Sequence, residues 1–418
     1  MMKTALLGIS LLAMVLCMCG ENSNDDNENG DTDTKKGDAG TDVGEDTETA
    51  SDTLDTEDAV ASCAASVDDL EDVSLAEAFA DHFDIGVALN NTVYDGIDAD
   101  AVDLVTRNFN RISPENALKW VNVQPQQGMF RFSDVDDYVE FGEAHGMTVY
   151  GHVLLWHSQV PSWLFTADDG SQVGREELLE RLEAHIAAFA DRYGGRIQYW
   201  DVVNEAFDSD GSLKDTLWKE IIGDDYIEQA FRIADRLLPD SKLVYNDYSM
   251  YLPGRRDAVI ALVETLRDAG VRIDAVGMQA HYNFKYPSLN DLEAALAAYR
   301  DADIEVLITE LDLDVLPSYW DIQSADISDT EEADDALNPY AECLPEDIDA
   351  LAAERWGDLF KLFVEYSDTV SSVTIWGVSD DQSWLNDWPI EGRTNYGVLF
   401  DRNLEPKSAV RSILAALD

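Results

Sequence analysis

Eight short apolar segments of strand length recur along the chain from residue 67 onward, and this repetition constrains the fold more than any other feature. They are IGVAL, FNRIS, MTVYGHVLL, IQYWDVV, KLVYN, AVGMQA, IEVLIT and VTIWGV, which begin at residues 85, 109, 147, 197, 242, 275, 304 and 373. Longer stretches with helical periodicity lie between and after them, such as EELLERLEAHIAAF and LAAERWGDLFKLF. A strand followed by a helix, repeated eight times, predicts a (β/α)8 TIM barrel.

An open, doubly wound α/β sheet is the other fold that alternating strands and helices allow. That fold would carry a glycine-rich phosphate-binding turn after its first strand. The corresponding segment, IGVALNNTVYDG, lacks the required glycine spacing. The barrel is therefore favoured, and in a barrel the functional side chains lie in the loops that follow the strands.

The apolar segments end in polar, ionisable and aromatic residues. From the second to the eighth they run into SPENALKW, GHVLLWHSQVPSW, NEAF, NDYSMY, QAHY, TELDLD and WGVSDDQSWLNDW. The contrast is sharpest in WDVVNEAF, because the two valines favour a buried strand whereas Asn204 and Glu205 must be hydrogen-bonded or solvated. We expect these residues to converge on one rim of the barrel.

Glu205 and Glu310 end the fourth and seventh segments, which places them roughly across the barrel mouth from each other. Cleavage of a glycosidic bond requires two carboxyl groups facing one cavity. One protonates the leaving oxygen and the other attacks the anomeric carbon or activates water. Their mutual repulsion helps to keep one of them protonated near neutral pH. Surface glutamates are common in so acidic a chain, but both of these follow directly on a β-branched core segment.

Tryptophan and histidine are concentrated in the same rim loops. Flat indole rings can stack on the apolar faces of sugar units, whereas Trp200 and Trp356 are assigned to the core. The rim side chains are Trp156, Trp163, Trp376, Trp384, Trp388, His152, His157 and His281. The histidines lack a zinc-binding spacing such as His-Glu-x-x-His, so we expect them to hydrogen-bond to carboxylates or sugar hydroxyls. No metal and no cofactor is expected.

Six motifs, in the same order, closely resemble the signatures of glycoside hydrolase family 10, the endo-β-1,4-xylanases. They are ISPENALKW, GHVLLWHSQVPSW, WDVVNEAF, GMQAHY, ITELDLDV and TIWGVSDDQSWL, and the resemblance extends from about residue 69 to the C-terminus. One motif such as NEA is unspecific, but six in register are specific. The resemblance implies a barrel enzyme that hydrolyses internal β-1,4-xylosidic bonds of xylan and xylooligosaccharides with retained anomeric configuration.

The resemblance also implies roles for individual residues. Glu205 matches the general acid/base, and Glu310 matches the nucleophile of a double displacement through a covalent xylosyl-enzyme. Asn204 matches the contact to the sugar 2-hydroxyl, and His281 matches the partner of the nucleophile. The other matches bind substrate: Glu115, Asn116, Lys119, His152 and Trp156 on the non-reducing side of the cleaved bond, Gln279 beside His281, Trp376 and Trp384 as stacking platform and lid, and Asn246 and Tyr248 where the cleft continues past the fifth strand.

Two loops depart from the family pattern. The segment PSYWDIQSADISDTEEADDALNPYAECLPED lengthens the loop after the seventh strand, and NDWPIEGRTNYGVLFD enlarges the loop after the eighth.

Two other functions stay open. Another retaining barrel glycosidase, a cellulase or mannanase, would share both glutamates and Asn204, although ENALKW and WHSQVPSW favour xylan. A non-catalytic carbohydrate-binding surface lipoprotein would be expected to lose one of the glutamates.

The N-terminal segments predict export. Residues 1–19 carry one early lysine before an apolar run that is too short to span a bilayer comfortably, which is typical of a signal peptide. Cys17 and Cys19 at its end resemble a bacterial lipoprotein signal, so we expect a protein that is secreted or tethered at the cell surface by a lipid anchor. Residues 20–66 are predicted to be a disordered acidic linker, and residues 67–418 the single catalytic domain.

Charge and cysteine content limit the partners. The formal net charge is −57, which excludes nucleic acid because phosphate contacts need lysine and arginine. Cys63 and Cys343 lie outside the predicted signal peptide and could form one disulfide in an exported protein, but the sequence gives no indication that they meet. We expect the protein to be a monomer.

Overall fold

Eight parallel strands close into a barrel, as the alternating pattern predicts. The computed structural model describes residues 62–67, 70, 73–317, 325–328, 330, 332 and 334–418. Its strands are β1 (Asp84–Leu89), β2 (Arg111–Pro114), β3 (Thr148–Gly151), β4 (Tyr199–Asn204), β5 (Lys242–Asp247), β6 (Ala275–Met278), β7 (His281–Asn283), β8 (Glu305–Asp314) and β9 (Val370–Ile375). The barrel closes because β6 pairs with β8 and β9 pairs with β1.

The short strand β7 is an addition to the eight predicted strands, so the seventh and eighth predicted segments correspond to β8 and β9. Strand β8 has ten residues. Its first part pairs with β6 and β9 inside the barrel, whereas Asp312 and the two residues after it pair with β7. This pairing sets His281 directly opposite Asp312 at the rim.

Helices surround the barrel and bury their apolar faces against it. They are α1 (Leu75–Ala78), α2 (Asn91–Tyr94), α3 (Ala99–Asn108), α4 (Trp120–Val123), α5 (Ser133–Ala144), α6 (Arg175–Tyr193), α7 (Leu217–Ile222), α8 (Tyr226–Leu237), α9 (Pro253–Asp268), α10 (Leu289–Asp301), α11 (Glu346–Glu365) and α12 (Ser408–Leu414). The helical periodicity of α6 and α11 is confirmed, since Leu182 and Phe363 on their apolar faces are fully buried. Among the described residues, no helix has both the length and the apolarity needed to cross a bilayer.

A disulfide fixes the described start of the chain. Cys63 is bonded to Cys343, 280 positions away, with 5.7 Å between their Cα atoms. Next to it, the backbone N–H of Ala64 donates to the carbonyl of Leu344. The end of the predicted linker, residues 62–66, thus lies against the segment that leads into α11. The predicted signal peptide and the linker as far as residue 61 fall outside the described residues.

Candidate active site

A cleft opens at the carboxyl ends of the barrel strands. It is lined by Glu115, Asn116, Lys119, His152, Trp156, Asn204, Glu205, Gln279, His281, Glu310, Ala325, Ile327, Trp376 and Trp384. The structure therefore brings together every residue that the family resemblance assigns to the site, except Asn246 and Tyr248. Because loops follow the strands on this face, residues far apart in the chain reach one cavity.

Glu205 is held by neutral hydrogen-bond donors. It follows the last residue of β4 with a backbone φ of 57°, a conformation uncommon for residues other than glycine. Its carboxyl oxygens accept hydrogen bonds from Trp156 Nε1 at 2.9 Å, Gln279 Nε2 at 2.9 Å and Asn204 Nδ2 at 3.0 Å. Burial raises the pKa of Glu205, and the charge of Lys214 and two of these hydrogen bonds offset the rise only in part. This carboxyl is suited to carrying a proton.

Glu310 lies in β8 and faces a neutral amide and a positively charged imidazole. One carboxylate oxygen accepts a hydrogen bond from Asn246 Nδ2 at 2.8 Å, and the other lies 3.2 Å from His281 Nε2. Burial by itself raises the pKa of Glu310. The hydrogen bond from His281 and the charges of His152 and His281 outweigh burial, so the pKa lies below its ordinary value. This carboxyl is suited to remaining ionised.

His281 connects Glu310 to a second carboxylate. Its Nδ1 lies 3.0 Å from Asp312 Oδ2, while its Nε2 faces Glu310. Burial lowers the pKa of His281, but the charges and hydrogen bonds of Asp312 and Glu310 raise it to about 10. His281 is therefore an imidazolium at neutral pH and donates to both carboxylates. Asp312 also accepts a hydrogen bond from Trp384 Nε1 at 2.7 Å, which fixes the tryptophan at the mouth of the cleft.

His152 and Asp201 form a buried pair beside Glu310. His152 Nδ1 lies 2.8 Å from Asp201 Oδ2. Ligand atoms of His152, Asp201 and Glu310 lie within 4.8 Å of one another, a spacing that a metal ion could use. However, Asp201 already accepts a hydrogen bond from Tyr150, and Glu310 already pairs with the His281 cation. The donor set therefore fits a hydrogen-bond network better than a cation site.

The rim after β2 carries polar groups suited to sugar hydroxyls. Lys119 Nζ donates to Asn116 Oδ1 at 3.0 Å and lies 5.4 Å from the centre of the Trp156 ring. Burial raises the pKa of Glu115 to about 7, with Lys119 acting in the opposite direction. Burial also lowers the pKa of Lys119, although nearby glutamates counteract it. Acceptors, donors and an indole face are thus combined at one end of the cleft.

The rim tryptophans divide into two groups. Trp376 and Trp384 are partly exposed in the cleft, and Trp384 stacks on Trp388 with 4.6 Å between ring centres. Trp163 and Trp388 do not line the cleft: Trp163 donates to the carbonyl of Gln124 and Trp388 to that of Asp326. Of the rim histidines, His157 also lies outside the lining. Trp200 and Trp356 are buried core residues, as predicted.

Asn246 and Tyr248 are placed differently from the sequence expectation. Asn246 is fully buried, donates to Glu310 and accepts from Thr309 Oγ1 at 2.7 Å. Tyr248 is also buried, and its hydroxyl accepts a hydrogen bond from Lys214 Nζ at 3.1 Å. Asn246 therefore positions the carboxylate of Glu310 without lining the cleft itself. Strand β5 ends in a run of polar residues, and the sequence alone does not show which of them point into the barrel.

Taken with this geometry, comparison with known proteins identifies the family. The sequence pattern described as Glycosyl hydrolase family 10 matches residues 74–416. The chain belongs to glycosyl hydrolase family 10. The resemblance seen in the sequence motifs is thereby confirmed.

Relatives in family 10 match the chain over most of its length. An endo-1,4-beta-xylanase A of Xylanibacter ruminicola is 42% identical over 341 residues, which cover 82% of this chain and 92% of that protein. An endo-1,4-beta-xylanase of Geobacillus stearothermophilus is 38% identical over 339 residues, covering 80% and 96%. The structure of a GH10 endoxylanase from a sugarcane soil metagenome has a TM-score of 0.80 at 41% identity, covering 82% and 99%.

Sequence reasoning missed several residues of this family 10 cleft. Asp312 lies two positions after Glu310 in the same strand, and strand alternation could have indicated that both face the rim. Asp201, which holds His152, is inside a predicted core segment and gave no comparable signal. Ala325 and Ile327 reach the cleft from the long loop after β8, where no periodicity indicates position.

Proposed function

We propose that this protein is a retaining endo-1,4-β-xylanase that hydrolyses internal bonds of xylan and xylooligosaccharides. One observation carries the proposal. Two buried carboxyl groups with opposite pKa shifts, Glu205 upward and Glu310 downward, line one cleft of a family 10 barrel. The relatives named endo-1,4-beta-xylanases support xylan as the substrate.

In the first step, the ionised carboxylate of Glu310 attacks the anomeric carbon. Glu205 donates its proton to the glycosidic oxygen, so the leaving sugar departs as a neutral alcohol. The product is a covalent xylosyl-enzyme ester on Glu310. Because His281 and Asn246 both donate to Glu310, they fix the direction from which its oxygen approaches.

In the second step, water completes the hydrolysis. Glu205, now a carboxylate, removes a proton from a water molecule that attacks the anomeric carbon and releases Glu310. The donors from Trp156, Gln279 and Asn204 stabilise the charge that Glu205 bears between the two steps. Two displacements on the same carbon return the original anomeric configuration.

Binding of the xylan chain follows from the two ends of the cleft. The polar group of Glu115, Asn116 and Lys119 supplies acceptors and donors for hydroxyls on the non-reducing side. Trp376 and Trp384 offer partly exposed ring faces for stacking on xylose units. The amide of Asn204 is available to the 2-hydroxyl at the cleavage point, beside Glu205.

Product analysis distinguishes this function from its alternatives. The protein is incubated with xylan, carboxymethylcellulose and mannan, and the anomeric configuration of the first products is read by proton NMR. We expect short β-1,4-xylooligosaccharides from xylan, first released in the β configuration, and almost no activity in Glu310→Ala. Preferential cleavage of cellulose or mannan would indicate a different barrel glycosidase. Binding of xylan without any hydrolysis would indicate a carbohydrate-binding lipoprotein.

We also propose that the chain is exported and held at the cell surface by a lipid on Cys17 or Cys19. The apolar residues 1–19 support export, and the Cys63–Cys343 disulfide fits an oxidising compartment. Mass spectrometry of the mature N-terminus tests the anchor, with Cys17→Ala and Cys19→Ala identifying the modified residue. An unmodified N-terminus at Met1 would contradict export and the lipid anchor.

We also propose that the protein is a monomer. Light scattering in solution measures its mass and tests this proposal.

A further inference from the structure

A short part of the loop between β8 and α11 crosses the mouth of the barrel. Its residues 325–328, here called the bridging segment, follow β8, yet Asp326 Oδ2 lies 3.6 Å from Lys214 Nζ in the loop after β4. The carbonyl of Asp326 accepts a hydrogen bond from Trp388 Nε1 in the loop after β9, at 3.2 Å. Strands β4 and β9 lie on opposite sides of the closed ring. The bridging segment therefore connects loops on two opposite sides of the same rim.

Lys214, which contacts Asp326, is itself held in place by two hydrogen bonds. The Lys214 backbone N–H donates to the carbonyl of Ala206 at 2.9 Å, and its Nζ donates to the hydroxyl of Tyr248 after β5. The side chains of Lys214 and Asp326 are 10% and 23% exposed, so water screens their attraction less than that of a surface pair. The bridging segment is thus held on the β5 side of the rim.

Two side chains of the bridging segment face the cleft. Ala325 and Ile327 line it together with both candidate catalytic carboxyls. Ile327 is 40% exposed, which is unusual for an isoleucine and gives it an open apolar surface inside a cleft of polar and aromatic groups. Such a surface can contact the apolar face or edge of a sugar ring.

The position of the bridging segment assigns it to one side of the cleaved bond. The polar group of Glu115, Asn116 and Lys119 follows β2, which lies opposite β6 in the ring. If the proposed function is right, these three residues bind the sugars on the non-reducing side of the cleaved bond. The bridging segment contacts Lys214, which lies in the same loop after β4 that begins with Glu205. It therefore lies on the side of the carboxyl that protonates the leaving sugar, where that sugar would bind.

We propose that the bridging segment forms the wall of the subsite for the leaving sugar, and that Ile327 makes this subsite selective for an undecorated xylose unit. The inference rests on the proposed function and names a specificity-determining residue for it. Ile327 packs against the plain ring, but it offers no hydrogen bond to a polar arabinosyl or glucuronyl branch. Such a branch would lose its bound water without compensation.

The test compares substrates that do and do not place a sugar in this subsite. Xylopentaose fills it, whereas β-xylobiosyl fluoride has a single fluorine atom as its leaving group. In Ile327→Ala, the ratio of kcat/KM for xylopentaose to kcat/KM for the fluoride is expected to fall about tenfold. Ile97→Ala is the matched control, because Ile97 is 71% exposed and is not among the lining residues, so its ratio should equal that of the unaltered protein.

Asp326→Asn weakens the anchor without changing the cleft surface and is expected to lower the same ratio by a smaller factor. With arabinoxylan, Ile327→Ala should release products that carry a branched xylose at their non-reducing end, which the unaltered protein releases rarely. An unchanged ratio, or the same product pattern, in an Ile327→Ala protein with an unaltered circular dichroism spectrum would overturn the inference while leaving the proposed function intact. If the unaltered protein hydrolyses neither substrate, both are wrong.

Discussion

The surroundings of Glu205 and Glu310 differ in charge, although the two glutamates are buried alike. Glu205 is 3% exposed and Glu310 is 5% exposed, so burial alone does not separate them. The hydrogen-bond partners of Glu205 are a tryptophan, a glutamine and an asparagine, all neutral. Glu310 faces the His281 imidazolium, which Asp312 keeps charged. The charge of the partners therefore decides which carboxyl keeps its proton.

This difference assigns the two roles in glycoside cleavage. A general acid must be protonated at the working pH, and a nucleophile must be ionised. One barrel achieves both with the same residue type, because different elements supply the neighbours. Trp156 and Gln279, which follow β3 and β6, contact Glu205, whereas Asn246 in β5 and His281 in β7 contact Glu310. Substitutions that remove either carboxyl, or change the charge beside it, should have separable effects.

The largest effect is expected from Glu310→Ala. Without the attacking carboxylate no covalent intermediate forms, so kcat on xylan should fall by at least about 10⁴-fold. Activity measured on an aryl β-xylobioside with a good leaving group should fall equally, because bond breaking itself is blocked. Added azide should occupy the vacated space and give the inverted α-azide, identified by NMR. A β-azide would contradict the assignment.

Glu205→Ala should impair only the substrates that need a proton. We expect a fall of about 10²- to 10⁴-fold on xylan, because the leaving alkoxide is no longer protonated. With a dinitrophenolate leaving group, formation of the intermediate should be little affected, and a burst of dinitrophenolate should be visible by stopped flow. Azide should then yield the β-azide. Equal losses on both substrates would show that the two glutamates do not divide the roles as described.

Asp312→Asn should act on Glu310 through His281. Removing the Asp312 charge lowers the pKa of His281, since that charge helps to raise it to about 10. His281 would also lose the partner that holds its ring against Glu310, so its hydrogen bond stabilises the Glu310 carboxylate less and the pKa of Glu310 rises. The acid limb of the kcat/KM profile should therefore move to higher pH, with an activity loss of about tenfold at pH 5. An unmoved acid limb would show that His281 acts on Glu310 only sterically.

Lys214→Met should shift the alkaline limb of the kcat/KM profile, and this is the smallest of the expected effects. The Lys214 cation lowers the pKa of Glu205, so its removal should raise that pKa and shift the alkaline limb to higher pH. The acid limb should stay in place. Lys219→Met is the matched control, because the Lys219 ammonium pairs with Asp215 and donates to the carbonyl of Leu213 instead of facing Glu205 or Glu310. A shift of both limbs in Lys214→Met would contradict separate control of the two carboxyls.

The fold and the two glutamates follow from local sequence signals. Each barrel strand is a short apolar segment whose end is marked by polar residues, so the rim could be located position by position. Glu205 directly follows β4 and Glu310 directly follows the apolar first part of β8, and the surrounding motifs indicate the family. Local patterns are sufficient here because a parallel barrel repeats one unit eight times and places every strand end on the same face.

The interactions that tune the site could not be predicted in this way. The contact of Asp312 with His281 depends on β7, a three-residue strand with too little apolar pattern to recognise. The bond between Cys63 and Cys343 and the contact of Lys214 with Asp326 depend on the path of long loops. Such paths are set by tertiary packing and leave no periodicity in the sequence.

Titration of the Glu205 and Glu310 carboxyl groups tests most directly whether their hydrogen-bond partners hold them in opposite protonation states. The protein is labelled with ¹³C at the glutamate carboxyl carbons, and the two signals are assigned with Glu205→Gln and Glu310→Gln. Glu310 should titrate below the ordinary value of 4.5 and Glu205 above it. Two pKa values on the same side of 4.5, or in the reverse order, would contradict the division of roles.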